Sequence, residues 1–465
     1  MGRKCYHTGI FLRIELPARR FRGGLIDNVL DTESDVLVVG GGPAGSTVAA
    51  LLARKGLKVT LVERDRHPRF HIGESLLPMN MPIVERLGLA EQLEAIGVRK
   101  LGADFPADNE RGYNVFSFDR CLNPTWPYAY QVKREEFDLM LFEHAAHCGA
   151  RTSQGAKAGQ VNLDDCGATV EITVDGTSYQ HRTRYFIDAS GRDTVLGSQM
   201  HLKRRNAAHQ SAALFAHFRN VELRPGEHAG NISVYRFAHG WVWMIPLRDG
   251  CVSVGAVCSP DYLKMREGSK EDFLMQTLQA IPDIRRRMAN AEVAGNLHAT
   301  GNYSYACRRI SGPRWLMVGD AYAFVDPIFS TGVYLAMHSA ELAADLVEQA
   351  LREPSRERSL QRRYERNVRK GIESLSWFIF RFNTPGIAWL FRYPQNTLRV
   401  EEAMISMLAG DVFRDQGVKW RLQFFKVLYY ITTAIYWRES LSSWLQRRRQ
   451  ASMRFAGGTT RQDPA

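Results

Sequence analysis

Residues 34–63 read SDVLVVGGGPAGSTVAALLARKGLKVTLVE. The short apolar run at 35–39 leads directly into Gly40-x-Gly42-x-x-Gly45, residues 46–55 are rich in alanine and leucine, and 58–62 are apolar again. This pattern predicts a strand, a tight turn, a helix and a second strand, a complete βαβ unit. The glycines let the backbone turn sharply and come close to a pyrophosphate. The free N–H groups and positive dipole end of the helix face that same point. Glu63 closes the second strand, where a carboxylate accepts from a ribose hydroxyl. The unit therefore predicts binding of a dinucleotide.

Around this unit lies enough chain for two or three domains: 465 residues, 45% hydrophobic and 24% charged, an ordinary soluble composition without repeats or low complexity. The net charge of +12 favours an acidic partner, a membrane surface or nucleic acid, or is simply a solvated basic surface. Much of it sits at the ends, at Arg3, Lys4, Arg13, Arg19, Arg20, Arg22 and Arg447 to Arg449. No nucleic-acid-binding motif accompanies it, so no nucleic acid is expected. Seven cysteines without a CxxC pair predict a reduced, cytoplasmic protein, and no metal site is expected. Residues 1–33 are a basic arm, expected to be disordered, that lacks the apolar core and cleavage site of a secretory signal. The apolar stretch at 424–437 contains Lys426 and is too short to span a bilayer, so no transmembrane segment is expected.

Along the chain, RFHIGESLLP at 69–78 precedes a predicted helix at 82–87 that turns at Gly88. A helix at 90–96 ends at Gly97 and delivers Val98-Arg99-Lys100 into an extended segment. Helical spacing recurs within 130–148, and TRYFIDASG runs as a strand into Gly191. Between 210 and 260 the period changes to two in SAALFAHF, NISVYRF, WVWMIPL and CVSVGAV, with Arg248-Asp249-Gly250 as a hairpin turn. A strand at 315–318, Gly319-Asp320, a loop at 326–331 and a long helix at 332–347 follow, and residues 356–450 read as helical.

These pieces resemble a known group. The glycine unit with Glu63, the GESLLP segment, Asp188-Ala-Ser-Gly191 and Gly319-Asp320 together resemble flavoproteins of the para-hydroxybenzoate hydroxylase fold. Within that group, Trp241-Val-Trp243-Met-Ile245-Pro246 resembles the WxWxIP motif of flavin-dependent halogenases, and Phe329-Ser330-Thr331-Gly332-Val333 resembles their halide loop. The likeness covers residues 34–415, including RFNTP at 381–385 and MISMLAGDVF at 404–413.

The fold class it implies is α/β (α+β). A Rossmann-like FAD-binding domain is built from 34–200 and 300–352, with an inserted antiparallel β-sheet substrate domain at 201–299. A C-terminal helical region at 353–450 and a tail at 451–465 follow. The implied cofactor is FAD, contacted by Gly40, Gly42, Pro43, Ala44, Gly45, Glu63, Arg64, Glu74, Ser75, Arg134, Asp320 and Gly332. Asp320 would meet the ribityl hydroxyls, though a capping role for the following turn is compatible with its position. Thr331 and Gly332 would offer backbone N–H groups to chloride or bromide.

Lys100 occupies the position of the family's catalytic lysine, and in an enclosed apolar site its amine would be accessible in neutral form. The plain alternative is a lysine that caps a helix or faces solvent. Trp241 and Trp243 stand two apart on a strand and so face one side; with Phe329 they would wall the substrate pocket off from the flavin, or serve simply as core tryptophans. Tryptophan-specific members carry a glutamate where this chain has Phe329, which points to the phenol- and pyrrole-acting branch.

The chain has no second GxGxxG after a strand, so reduced flavin is expected from a separate flavin reductase. The implied reaction runs from FADH2 and O2 through a flavin hydroperoxide to hypohalous acid, which Lys100 relays to an electron-rich aromatic. A monooxygenase or reductase of the same fold is the alternative. Several members of the branch it resembles act on carrier-tethered substrates, so an acyl carrier protein, generally acidic, is a candidate partner for the Arg-rich C-terminal region. A free aromatic substrate, or contact of 424–437 with an anionic membrane, are the competing readings of the charge.

Overall fold

The βαβ unit forms from strand Glu33–Val39, helix Pro43–Arg54 and strand Val59–Glu63. The helix starts earlier than its alanine-rich stretch because Gly42 takes the cap position and Pro43 the first helical position, where a missing N–H costs nothing. In this computed structural model residues 32–106, 112–123, 126–414 and 416–452 are described, and from Thr32 onward they form one compact unit. All but the end of the basic arm at 1–33, and the tail from 453, lie outside the described residues.

The first sheet runs Ser311–Gly312, Trp315–Met317, Thr177–Asp188, Glu33–Val39, Val59–Glu63, Arg151–Gln154. Its central pairings are parallel, and Val36, Leu37, Val38 and Leu61 are fully buried, as expected where both faces are covered. A hairpin, Ala156–Asp164 with Gly167–Val174, extends it antiparallel on Thr177–Asp188. Helix Pro43–Arg54 packs against Arg134–His147 and Thr331–Arg352. Ala44 and Ala336, near the starts of helices Pro43–Arg54 and Thr331–Arg352, both lie within 3.3 Å of where a Cβ on Gly319 would stand.

The second sheet has nine strands and is centred on Lys203–Arg219, Val252–Cys258, Gly240–Pro246 and Ile232–Phe237, so the four period-two segments all pair as strands. It does not coincide with the stretch 201–299. Strands Gly102–Pro106 and Tyr113–Ser117 join its edge, the former parallel to Ile232–Phe237, and Ala323–Phe324 joins the other end. Conversely, helices Pro260–Lys264, Lys270–Gln279 and Pro282–Arg287 fall inside that stretch. They cover one face of the sheet, where Val242, Met244, Val254 and Ala256 pack with Phe273, Leu274 and Ile284. The alternate residues, Trp241 and Trp243, are thereby committed to the opposite face.

The C-terminal region is helical at Glu357–Ile379, Pro385–Arg392, Val400–Leu408, Gln416–Ile435 and Trp437–Ser452. Among the described residues no helix is long and apolar enough to cross a membrane.

Candidate active site

The three motif glycines have different reasons to be glycine. Gly40 has φ +110°, and a Cβ there would stand 2.3 Å from the Ala189 carbonyl oxygen; one on Gly45 would stand 1.8 Å from that of Gly40. Both are needed by the fold itself. A Cβ on Gly42 would meet nothing closer than Arg69 Nη2 at 3.8 Å. Protein packing leaves that space open, as a close-lying pyrophosphate requires. The helix that Gly42 caps has no side-chain cap bond, and Pro43, Ala44 and Gly45 are buried in its first turn.

The other expected cofactor contacts gather at this end. Glu63 is buried, its Oε2 accepting from Gly41 N at 2.7 Å and its Oε1 from Asp65 N at 2.9 Å. Arg69, 3.6 Å from Glu63 and 3.7 Å from Asp138, reaches over the loop. Arg134 forks onto Asp138 at 2.7 and 2.9 Å and holds the Ile72 carbonyl at 2.9 Å. Arg64 lies half exposed, paired with Asp193 and Asp65.

Asp320 follows Gly319 on a short 3-10 turn. Burial pushes its carboxyl up to about 6, against the pull of Arg192, Arg134 and Lys203. Its side chain takes no hydrogen bond from a described residue, whereas its carbonyl accepts from Tyr305 Oη at 2.7 Å. A carboxylate with acceptor capacity left in a sheltered place suits a polyhydroxyl ligand. With the open space at Gly42, the residues fit FAD.

Lys100 is neither a cap nor a surface residue. It ends strand Val98–Lys100, which pairs with Ala129–Gln131, and is 1% exposed. Its Nζ donates to Ser75 Oγ at 2.8 Å and to the Leu76 carbonyl at 3.1 Å. Phe118 lies beneath, its ring centre 5.3 Å from the amine. Burial brings the amine's pKa down from 10.5 to about 7, with Asp104 opposing. Asp104 offers little relief because Arg224 and Asn231 each hold it at 2.9 Å.

The Phe329–Ser330 turn, part of the expected halide loop, shares a cavity with this amine. A narrow cavity of about 10 Å³ is lined by Lys100, Phe118, Phe105, Val234, Phe329 and Ser330 among others, room for about one water. Ser330, at φ +56°, turns the chain into helix Thr331–Arg352 with no side-chain cap bond, so first-turn N–H groups and the dipole remain available to an anion. Thr331 is buried and Gly332 exposed, with nothing within 4 Å of where a Cβ would stand. Phe329 packs edge-on to Phe382 at 5.6 Å.

Trp241 and Trp243 are buried with ring centres 5.6 Å apart. Trp243 stands opposite Val234, and cross-strand partners share a face, so the pair flanks the cavity without lining it. Trp243 is fixed by donating Nε1–H to Ser253 Oγ at 3.1 Å.

Glu74 and Ser75, expected as cofactor contacts, are both engaged within the protein. Ser75 holds Lys100, and buried Glu74 takes His217 Nε2 at 2.7 Å on Oε1 while Oε2 has no partner among the described residues. Burial works to lower the His217 pKa, but the bond to Glu74 outweighs it and raises the value. Arg69 and Ser330 stand inside motifs already singled out and were open to discovery from sequence. His217 and Asn231 are brought in only by long-range strand pairing.

The family described as FAD binding domain matches residues 33–375. The chain is 37% identical over 333 residues to a tryptophan 2-halogenase from Chondromyces crocatus, covering 69% of this chain and 62% of that one. It thus spans less than two thirds of that relative's length. Against the 1H-pyrrole-2-carbonyl-[peptidyl-carrier protein] brominase of Pseudoalteromonas luteoviolacea it is 36% identical over 324 residues, covering 68% of this chain and 78% of that one. The structure of a myxobacterial chondrochloren halogenase superposes with a TM-score of 0.71 at 29% identity, over 84% of this chain and 96% of that one.

Proposed function

The chain belongs to the flavin-dependent halogenases, and from that premise we propose that it halogenates an electron-rich aromatic, of phenol or pyrrole type, with chloride or bromide. One observation carries the reading: Lys100 and the Phe329–Ser330 turn, distant in sequence, line one narrow cavity. When bound, reduced FAD with O2 supplies the two-electron oxidation of halide.

The chain's own residues do the rest. Gly42 and the helix behind it admit the pyrophosphate, and Asp320 accepts from ligand hydroxyls. The first-turn N–H groups at Thr331 and Gly332 hold the halide. With a pKa near 7, Lys100 is substantially neutral at neutral pH. Its Nζ lone pair takes halogen from hypohalous acid, releasing water, and an N–X bond forms. The aromatic carbon then takes the halogen, the ring loses its proton, and the amine is restored. Phe105, Phe118 and Phe329 keep bulk water from the amine, and the tryptophans flank this compartment.

The pyrrole-carrier relative supports a substrate offered free or on an acyl carrier protein. A separate flavin reductase is inferred from the single GxGxxG, and a cytoplasmic setting from the described cysteines, all free. The test is to supply FADH2, chloride or bromide and a panel of phenols, pyrrole-2-carboxylate and tryptophan, free and carrier-linked, then read products by mass spectrometry. A halogen isotope pattern on a phenol or pyrrole is expected. Product carrying added hydroxyl and no halogen would overturn the proposal in favour of a monooxygenase, and halogenated tryptophan alone would move the substrate class.

A further inference from the structure

The last two described helices carry an unusual surface. Helix Gln416–Ile435 buries Val418, Leu422, Phe425 and Tyr429 against the body of the protein. Its outward face is also apolar, with Val427, Ile431 and Ile435 51%, 53% and 68% exposed. Helix Trp437–Ser452 continues the pattern with Trp437, Leu441 and Trp444, 57%, 48% and 47% exposed. Spacings of four, or four and three, within each set put it on one helical stripe. Single exposed apolar residues are ordinary, but an exposed apolar stripe on each of two successive helices marks an interaction surface.

Its charge selects the partner. Residues 416–452 contain seven lysines and arginines against Glu439 alone. The cations sit beside the exposed aromatics: the Arg421 guanidinium is 4.3 Å from the Trp420 ring centre, that of Arg448 5.1 Å from Trp444, and that of Arg438 5.4 Å from Trp437. Tryptophan and arginine interleaved on an amphipathic helix suit the headgroup level of a bilayer, with apolar side chains just below and cations among anionic phosphates. An acidic protein would answer the charge but leave the aliphatic stripe of Val427, Ile431 and Ile435 uncovered. Since no described helix is able to cross a bilayer, the helices would lie along its surface.

We propose that helices Gln416–Ile435 and Trp437–Ser452 dock this protein on an anionic phospholipid surface. The surface lies close to the site: helix Gln416–Ile435 packs on Val400–Leu408, whose Leu408 lines the Lys100 cavity. Docking therefore places the cavity near lipid, where apolar aromatic molecules concentrate.

The test is co-sedimentation of the full chain with phosphatidylcholine vesicles and with phosphatidylcholine–phosphatidylglycerol vesicles at low and high salt. Binding to the anionic vesicles is expected to exceed binding to neutral ones by about tenfold or more and to weaken with salt. The combined variant Ile431→Glu, Ile435→Glu, Trp444→Glu should lose vesicle binding while keeping its Tm and bound FAD. Protein that remains in the supernatant with anionic vesicles overturns the proposal, as does binding that the variant leaves unchanged. A dimer buried on this face, or an acyl carrier protein whose affinity the variant abolishes while vesicles do not bind, overturns it as well.

Discussion

Arg134 and Lys100 are both buried cations on the segment between the glycine loop and the second sheet, and they are treated in opposite ways. Arg134 has a carboxylate one helical turn away, and the two groups meet fork to fork. Lys100 has only neutral acceptors, a serine hydroxyl and a carbonyl, while the nearest acid is held by Arg224 and Asn231. A charge matched where it stands braces structure, here the Ile72 backbone beside the GESLLP segment. A charge left unmatched in a dry place yields its proton near neutral pH, which is what the proposed relay requires.

Substitutions sharpen or break that contrast. Lys100→Ala should lower halogenated product by about 10³-fold while FAD affinity and Tm stay near the parent's; product within a few-fold of the parent by mass spectrometry would end the relay assignment. Asp138→Asn, which strips Arg134 and Arg69 of their shared partner, should cost on the order of 3 kcal/mol in urea unfolding. A negligible loss would show that Arg134 does not depend on the pair.

Gly42→Val should weaken FAD binding by about a hundredfold, or about 3 kcal/mol, and leave the apoprotein folded, because the protein itself leaves that space open. Fluorescence titration measures it, and unchanged affinity would remove the pyrophosphate from this loop. Gly45→Ala is the control that should not fold, with its Cβ set 1.8 Å from a carbonyl oxygen.

The smallest effects are in pH. If the neutral amine is the acceptor, product formation should rise with pH around a midpoint near 7, the lowered pKa of Lys100; a rate that falls through this range would make the ammonium the working form. For stability the sign is opposite to that of an ion-paired lysine. The folded pKa lies below the unfolded 10.5, so the cost of burying Lys100 is full below about pH 7 and fades as pH rises toward 10.5. Lys100→Met should therefore stabilise the protein at pH 6, by about 1–3 kcal/mol, and less at pH 9. A gain that does not shrink would mean packing rather than charge is at work.

Much of this was legible residue by residue. Gly88 and Gly97 end helices where expected, Val98–Lys100 is extended, and Trp241 and Trp243 share a face. The strands at 102–106 and 113–117 leave little signal in the sequence, because GADFP and YNVFS are short and carry little alternation. What makes them strands is a partner at Ile232–Phe237. The helices that cover the sheet at 260–287 likewise fall inside the stretch expected to be mainly antiparallel sheet.

The sequence by itself determined the glycine turn, the helix starts and stops, and the motifs at Lys100, Trp241 and Phe329, since backbone sterics, capping and periodicity act over a few neighbouring residues. Only the tertiary structure decided that Lys100 loses its water, that Asp104 is held by Arg224 and Asn231 while Ser75 receives the amine, and that the Phe329–Ser330 turn lines the same cavity. Desolvation and the pairing of charges depend on which distant segments pack together, and no local spacing in the chain encodes that.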